Sequence, residues 1–317
     1  MGEIITMRAL LLKRLLQLVA VSWGVGTLTF ILMRSLPGDM AYRIAASRYG
    51  MDAVDNRAAD LVREELGLNH SAWSAYWQWF TDLLSWNLGN SLVSGEPVAT
   101  QLWHMLGHSV VLAVAGILLS ILIAIPLGLA SAFKGGWLDR SLLMVSTTLR
   151  AVPVFVIGLL AIIMFALEWN LFPVAGFGTP AHLVLPALTL ALSLAAISNR
   201  VVHTEARRVF GSSFFEFARM KGLSPSQAFM HHGARNIAVP VVAFLGIQLI
   251  TVVEGVVMIE SLFSWPGIGH GLAHAIFARD IPLIQGAALM MGVLFVVMNT
   301  LVDIACHYLD PRGGQLA

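Results

Sequence analysis

Residues 109–133 read SVVLAVAGILLSILIAIPLGLASAF, 25 residues with no Asp, Glu, Lys or Arg among them. At 1.5 Å of helical rise per residue this block reaches about 37 Å, enough to cross the roughly 30 Å of hydrocarbon in a bilayer. Five further apolar blocks share the pattern: about Leu15 to Met33, Leu142 to Leu167, Leu183 to Val202, Ile237 to Ile259, and Ile284 to Cys306. The chain therefore reads as an all-α integral membrane protein with six transmembrane helices. Its composition agrees. Of 317 residues 57% are hydrophobic and only 12% charged, against roughly 25% charged in a soluble domain. With 19 basic and 18 acidic residues there is no cationic excess to neutralise a phosphate backbone, so no nucleic-acid partner is expected. The single Cys306 excludes an internal disulfide framework and a thiolate metal cluster.

Arg8, Lys13 and Arg14 precede the first block as in a signal peptide. However, that block is too long and no small-residue cleavage site follows it before Arg34 and the turn Leu36-Pro37-Gly38-Asp39, so it reads as an uncleaved anchor. Lys and Arg in short loops set orientation. They occur in the N-terminal tail, at Lys134 and Arg140, and at Arg200, Arg207, Arg208, Arg219, Lys221 and Arg235, whereas residues 168–182 carry none and the next loop carries only Arg279. Both termini are therefore expected on the cytoplasmic side of the membrane. The expected organisation is a tail and first helix over 1–33, an external loop over 34–108, a five-helix core over 109–306 and a cytoplasmic tail over 307–317. Trp73, Tyr76, Trp77, Trp79, Phe80 and Trp86 stand at near-helical spacing, which predicts a small helix against membrane lipid at the outer interface.

Motifs for chemistry are missing. The chain has no His-Glu-x-x-His, no Gly-x-Ser-x-Gly elbow and no phosphate loop, so it is not expected to be an enzyme or to hydrolyse nucleotide itself. Its fourth loop instead carries a short amphipathic segment: Glu216, Phe217, Ala218, Arg219, Met220, Lys221, Gly222, Leu223, Ser224, Pro225. It predicts a cytoplasmic helix over about 214–226, ending near Gly222. Phe217, Ala218 and Leu223 would pack on a partner, and Glu216, Arg219 and Lys221 would set register. Within the spans, Arg150 counts about 15 Å from the cytoplasmic end of a straight third helix and Glu254 about 24 Å into the fifth. Buried charges of this kind pair with each other or face a solute path. His270 and His274 are four apart, a metal-ligand spacing, but with no third ligand nearby in sequence no metal site is expected.

The pattern Glu216-x-Ala218-x-x-x-Gly222, with Pro240 after it, resembles the coupling motif of ABC importer permeases in the spacing of the dipeptide, oligopeptide and nickel branch. Leu36-Pro37-Gly38-Asp39, Gly67-Leu68, Leu88-Gly89-x-Ser91, Phe263-Ser264-Trp265-Pro266-Gly267-Ile268-Gly269 and Leu309-Asp310-Pro311-Arg312 resemble that branch in order along nearly the whole chain. Phe217 replaces the first alanine of the usual pair, and Asn87 stands where an acidic residue is usual. The resemblance implies the type I importer fold and the first permease of an importer for peptides or similar small polar solutes, nickel chelates included. It also implies a second, similar permease, two cytoplasmic ATPase subunits that bind ATP and Mg, and an extracytoplasmic binding protein. The rival reading is a stand-alone secondary transporter or channel. That class calls for inverted repeats, or for discontinuous helices with paired intramembrane carboxylates, and neither is found in the sequence.

Overall fold

The computed structural model describes residues 7–35, 38–50, 54–65, 71–85 and 87–309. The motif residues Leu36-Pro37, Gly67-Leu68 and Asp310-Pro311-Arg312, and Trp86, lie outside these, as does the side chain of Glu254. Among the described residues the chain is helical, in the order α1 (Met7–Ser35), α2 (Met40–Tyr49), α3 (Asn56–Glu65), α4 (Ala72–Leu84), α5 (Val98–Lys134), α6 (Gly136–Ala151), α7 (Val154–Ala161), α8 (Ala181–Phe210), α9 (Ser213–Met220), α10 (Pro225–Ala228), α11 (Ala234–Leu262), α12 (Ile268–Ala278) and α13 (Ile281–Leu309). The chain divides into two compact units. One comprises Val110–Trp265 and the chain from Val297 onward, the other Met7–Ser109 and Pro266–Val296.

In the first unit α8 is the hub, packing against α11, α6 and α7. Every fourth residue of α5 over Gly116, Ser120, Ala124 and Gly128 is small and buried. A Cβ on Gly128 would stand 2.7 Å from both the Asn199 carbonyl oxygen and Val202 Cβ, and one on Gly116 would stand 2.5 Å from Leu190 Cδ2. Small side chains therefore let the α5 and α8 backbones approach closely. Lipid tails offer no hydrophobic drive between helices, so such van der Waals contact is what holds spans together. Leu118 and Leu122, on the other side of α5, are exposed.

The third apolar block is not one straight span. α6 begins at Gly136, ahead of the expected Leu142, and ends at Ala151; α7 leaves at 104° to it. Proline disfavours the α conformation in the residue before it, and Val152, preceding Pro153, is extended at φ −90°, ψ 128°. The chain then continues through a wider π-helical turn, Ile162–Glu168. Among the described residues four helices are individually long and apolar enough to cross a membrane, over Leu12–Leu32, Val98–Lys134, Ala181–Phe210 and Ile281–Ile304, and the bent α6–α7 stretch qualifies as a pair. The 29-residue α11 contains the fifth apolar block.

In the second unit Ala41, Ile44 and Ala45 of α2 bury against Ala59 and Val62 of α3. The aromatic segment forms α4 as expected, but part of it grips a helix rather than lipid. Tyr76 Oη lies 3.0 Å from Thr27 Oγ1 of α1, Phe30 meets Tyr76 and Trp79 edge-on or tilted, and a Cβ on Gly26 would stand 2.6 Å from the Trp79 ring. Trp73 and Trp77 remain exposed. The loop before α5 is tied to α13 through the buried Asp280, whose carboxylate accepts from Ser91 Oγ and from the Leu92 amide at 3.0 Å. Asn87 Oδ1 accepts from the Gly89 amide at 3.0 Å, supplying the acceptor that an acidic side chain would supply there.

Candidate functional site

The segment with coupling-type spacing follows α8. Glu216 in the first turn of α9 and Arg219 in the last complement the helix dipole, and the Lys221 ammonium lies 4.6 Å from the Phe217 ring centroid. The helix stops at Met220, short of the expected residue 226. Gly222 takes φ +93°, a left-handed conformation that only glycine adopts at no cost. A second start follows. Ser224 and Gln227 form a reciprocal capping box around Pro225, which satisfies the otherwise orphaned amides of α10. Two short helices hinged at Lys221-Gly222-Leu223 thus replace the single helix over 214–226.

The two faces of α9 differ. Phe215 and Ala218 are buried with Val202, Ala206, Val209, Ala228, Ile237 and Val241, and Leu223 packs at the edge of that cluster. Burial of a side chain such as Phe215 stabilises by about 1.5–3 kcal/mol, which anchors the segment to α8 and α11. Ala218 and Leu223, expected to face a partner, hence face the chain's own interior. Phe214, Phe217 and Met220, spaced three apart, are exposed, together with Glu216, Arg219, Lys221 and Gly222.

α8 also carries a polar seam that periodicity did not reveal. Ser198 Oγ donates to Gln248 Oε1 of α11 at 2.7 Å, Asn199 Nδ2 to Ser146 Oγ of α6 at 2.8 Å, and the Arg200 guanidinium to the Asp139 carboxylate at 2.8 Å. His203 Nδ1 lies 2.8 Å from Ser131 Oγ of α5 and 3.5 Å from Asp139. Beside this seam a cavity of about 500 Å³ is lined by Ser146, Thr147 and Arg150 of α6 and by Arg200, Thr204 and Glu205 of α8. Arg150, exposed, occupies the last turn of α6 next to the bend. It is not mid-way along a straight helix, because the depth count assumed that residues 142–167 continue in one direction. Glu260, absent from the sequence reading, is fully buried in α11. A carboxylate six residues before Pro266 was visible in the sequence, but its burial was not.

In the second unit a cavity of about 840 Å³ is lined by His104, Met105 and His108 of α5, His270 and His274 of α12, and Glu96. The His270 and His274 rings lie 4.5 Å apart, edge to face. Burial, with the neighbouring His274 adding to it, holds His270 below the usual imidazole range and favours its neutral form. His104 and His108, themselves four apart, are the partners that reading α12 alone did not find.

Known proteins carry the same pattern. Residues 124–314 match the family described as binding-protein-dependent transport system inner membrane component. Among similar chains, a probable peptide ABC transporter permease of Sinorhizobium fredii is 35% identical over 95% of this chain and 98% of its own length. A glutathione transport system permease of Pectobacterium atrosepticum is 32% identical over 95% and 97%. A nickel import system permease of Staphylococcus aureus is 31% identical over 95% and 90%. The chain belongs to this family of inner-membrane transport components, in its dipeptide, oligopeptide and nickel branch. It is a permease subunit of an ABC importer, a multi-pass membrane protein that works as a component of an ABC transport system.

Proposed function

We propose that this permease has six membrane crossings, with α6–α7 as a bent third one and α11 as the fifth, and both termini in the cytoplasm. It pairs with a second, similar permease to enclose a path for peptides or comparable small polar solutes delivered by an extracytoplasmic binding protein. Two cytoplasmic ATPase subunits, which bind the ATP and Mg, seat α9 in a cleft. Motion of α9 is passed to α8 and α11 through Phe215 and Ala218. The observation that carries this reading is the two-faced α9, rooted inward by buried side chains while Phe214, Phe217 and Met220 stand exposed. Arg150 and Arg200, beside the cavity between α6 and α8, would meet an anionic group of the solute, and whether Glu254 also faces the path belongs to the same proposal.

The test is transport by the assembled system with Gly222 and Glu216 varied. A Cβ at Gly222 meets no atom of this chain within 4 Å, so Gly222→Ala adds only backbone strain, of order 1–3 kcal/mol. Gly222→Trp adds bulk on the docking side. Uptake and ATPase stimulation are expected to fall moderately in Gly222→Ala and in Glu216→Ala, and to collapse in Gly222→Trp, with membrane levels preserved. Full transport by Gly222→Trp would overturn the reading.

A further inference from the structure

The four described histidines of the second unit stand at matched heights on two helices. Ser109 Oγ accepts from the Ile268 amide at 2.9 Å, and the Met105 sulfur is the atom nearest to where a Gly271 side chain would begin, at 2.5 Å from an added Cβ. Residue 109 of α5 therefore faces 268 and residue 105 faces 271, so the two helices run antiparallel here with these contacts as rungs. On that register His108 falls level with about residue 269 and His104 with about residue 272, bringing both within one turn of His270 and His274. Two pairs of imidazoles, each at i and i+4, flank one cavity with a thioether between them. Only the missing side chain of Gly271 lets Met105 lie so close.

We propose that this cavity binds a divalent first-row transition-metal ion on the imidazoles of His270 and His274, with His104 as the third protein ligand. The proposal does not depend on the importer reading, which assigns this cavity no part. Two histidines one helical turn apart can ligate one ion from the same face. Imidazoles select Ni²⁺, Cu²⁺ or Zn²⁺ over the oxygen-seeking Mg²⁺ and Ca²⁺. Asp280 also borders the cavity, but its carboxylate is engaged by Ser91 and Leu92 and serves the fold. As placed, no three His, Cys, Asp or Glu side chains among the described residues are close enough to enclose an ion. The site is thus open: the His270–His274 pair takes the ion first, His104 closes by a rotamer change, and water or a small chelator keeps the remaining positions.

The experiment uses the full chain in detergent without a polyhistidine tag, titrated with Cu²⁺ and read by electron paramagnetic resonance, then with Ni²⁺, Zn²⁺ and Mg²⁺ by calorimetry. One Cu²⁺ per chain is expected, with hyperfine structure from two or three nitrogens, and no Mg²⁺ binding. His270→Ala/His274→Ala should weaken binding at least about tenfold, since losing even an outer-shell partner of a ligand costs that much. His104→Ala should remove one nitrogen from the spectrum, and His231→Ala, in a different segment, should change nothing. If the double variant does not fold, His270→Gln and His274→Gln singly replace it, and each should lose one nitrogen. Unchanged binding in the His270 and His274 variants, or no Cu²⁺ bound by the wild-type chain, overturns the site. Because the readout needs neither ATPase nor transport, it can fail while the importer reading stands, and the reverse.

Discussion

At the scale of single residues, close approach of backbones makes side-chain size decisive. Gly128 is the clearest position: a methyl group there meets a backbone oxygen and Val202 Cβ, both at 2.7 Å, and the backbone oxygen cannot rotate away. Forcing extra atoms into such a contact costs about 1–3 kcal/mol. Gly24 of α1 has nothing within 4 Å of an added Cβ, and a mid-helix glycine is less favourable than alanine by roughly 0.5–1 kcal/mol. Gly128→Val should therefore lower the thermal midpoint in detergent by several degrees, while Gly24→Ala should leave it unchanged or slightly raised. Equal behaviour of the two variants would show that the α5–α8 contact does not limit stability. The spacing of Gly116, Ser120, Ala124 and Gly128 was legible in the sequence. Which helix they approach was not, because a four-residue period places a face without naming its partner.

Among elements, the bend between α6 and α7 has two causes that can be separated. Pro153 imposes a local penalty on a continuous helix, about 3 kcal/mol. Packing imposes another: Ile157, Gly158 and Ala161 of α7 are buried, and the Gly158 site lies against Leu262, Phe263 and Thr189. Spin labels at Trp137→Cys and Leu167→Cys, in a Cys306→Ser background, would be about 45 Å apart on a straight helix and about 30 Å apart at the observed 104°. Pro153→Ala is expected to keep the shorter distance, because the packed face of α7 remains. Lengthening toward 45 Å would assign the bend to the proline alone. Sequence reading joined residues 142–167 because hydropathy is blind to direction. The Val152-Pro153 pair was the available signal of a break.

At the scale of the whole molecule, orientation rests on charge placed in short loops. Single cysteines in the Cys306→Ser background test it with an impermeant thiol reagent on intact cells. Ser94→Cys and His274→Cys should label, whereas Ser226→Cys, in α10, should be protected until the cells are opened. Labelling of Ser226→Cys from outside would invert the proposed topology and remove α9 from the reach of a cytoplasmic ATPase.

The sequence alone settled whatever is set locally. Transfer into hydrocarbon is decided nearly residue by residue, so the apolar blocks could be read without knowing their neighbours, and each of them lies largely within helix in the structure. The amphipathic run around Glu216 and the glycine that ends it are local too, and they carried the family resemblance that the comparisons bear out. Tertiary structure decided what depends on contacts between distant segments: that Ala218 turns inward while Phe217 stays out, that Ser198, Asn199, Arg200 and His203 join α8 to three other helices, and that His104 lines the same cavity as His270. Such contacts are selected by how whole faces fit, a property of the folded chain that no window along the sequence contains.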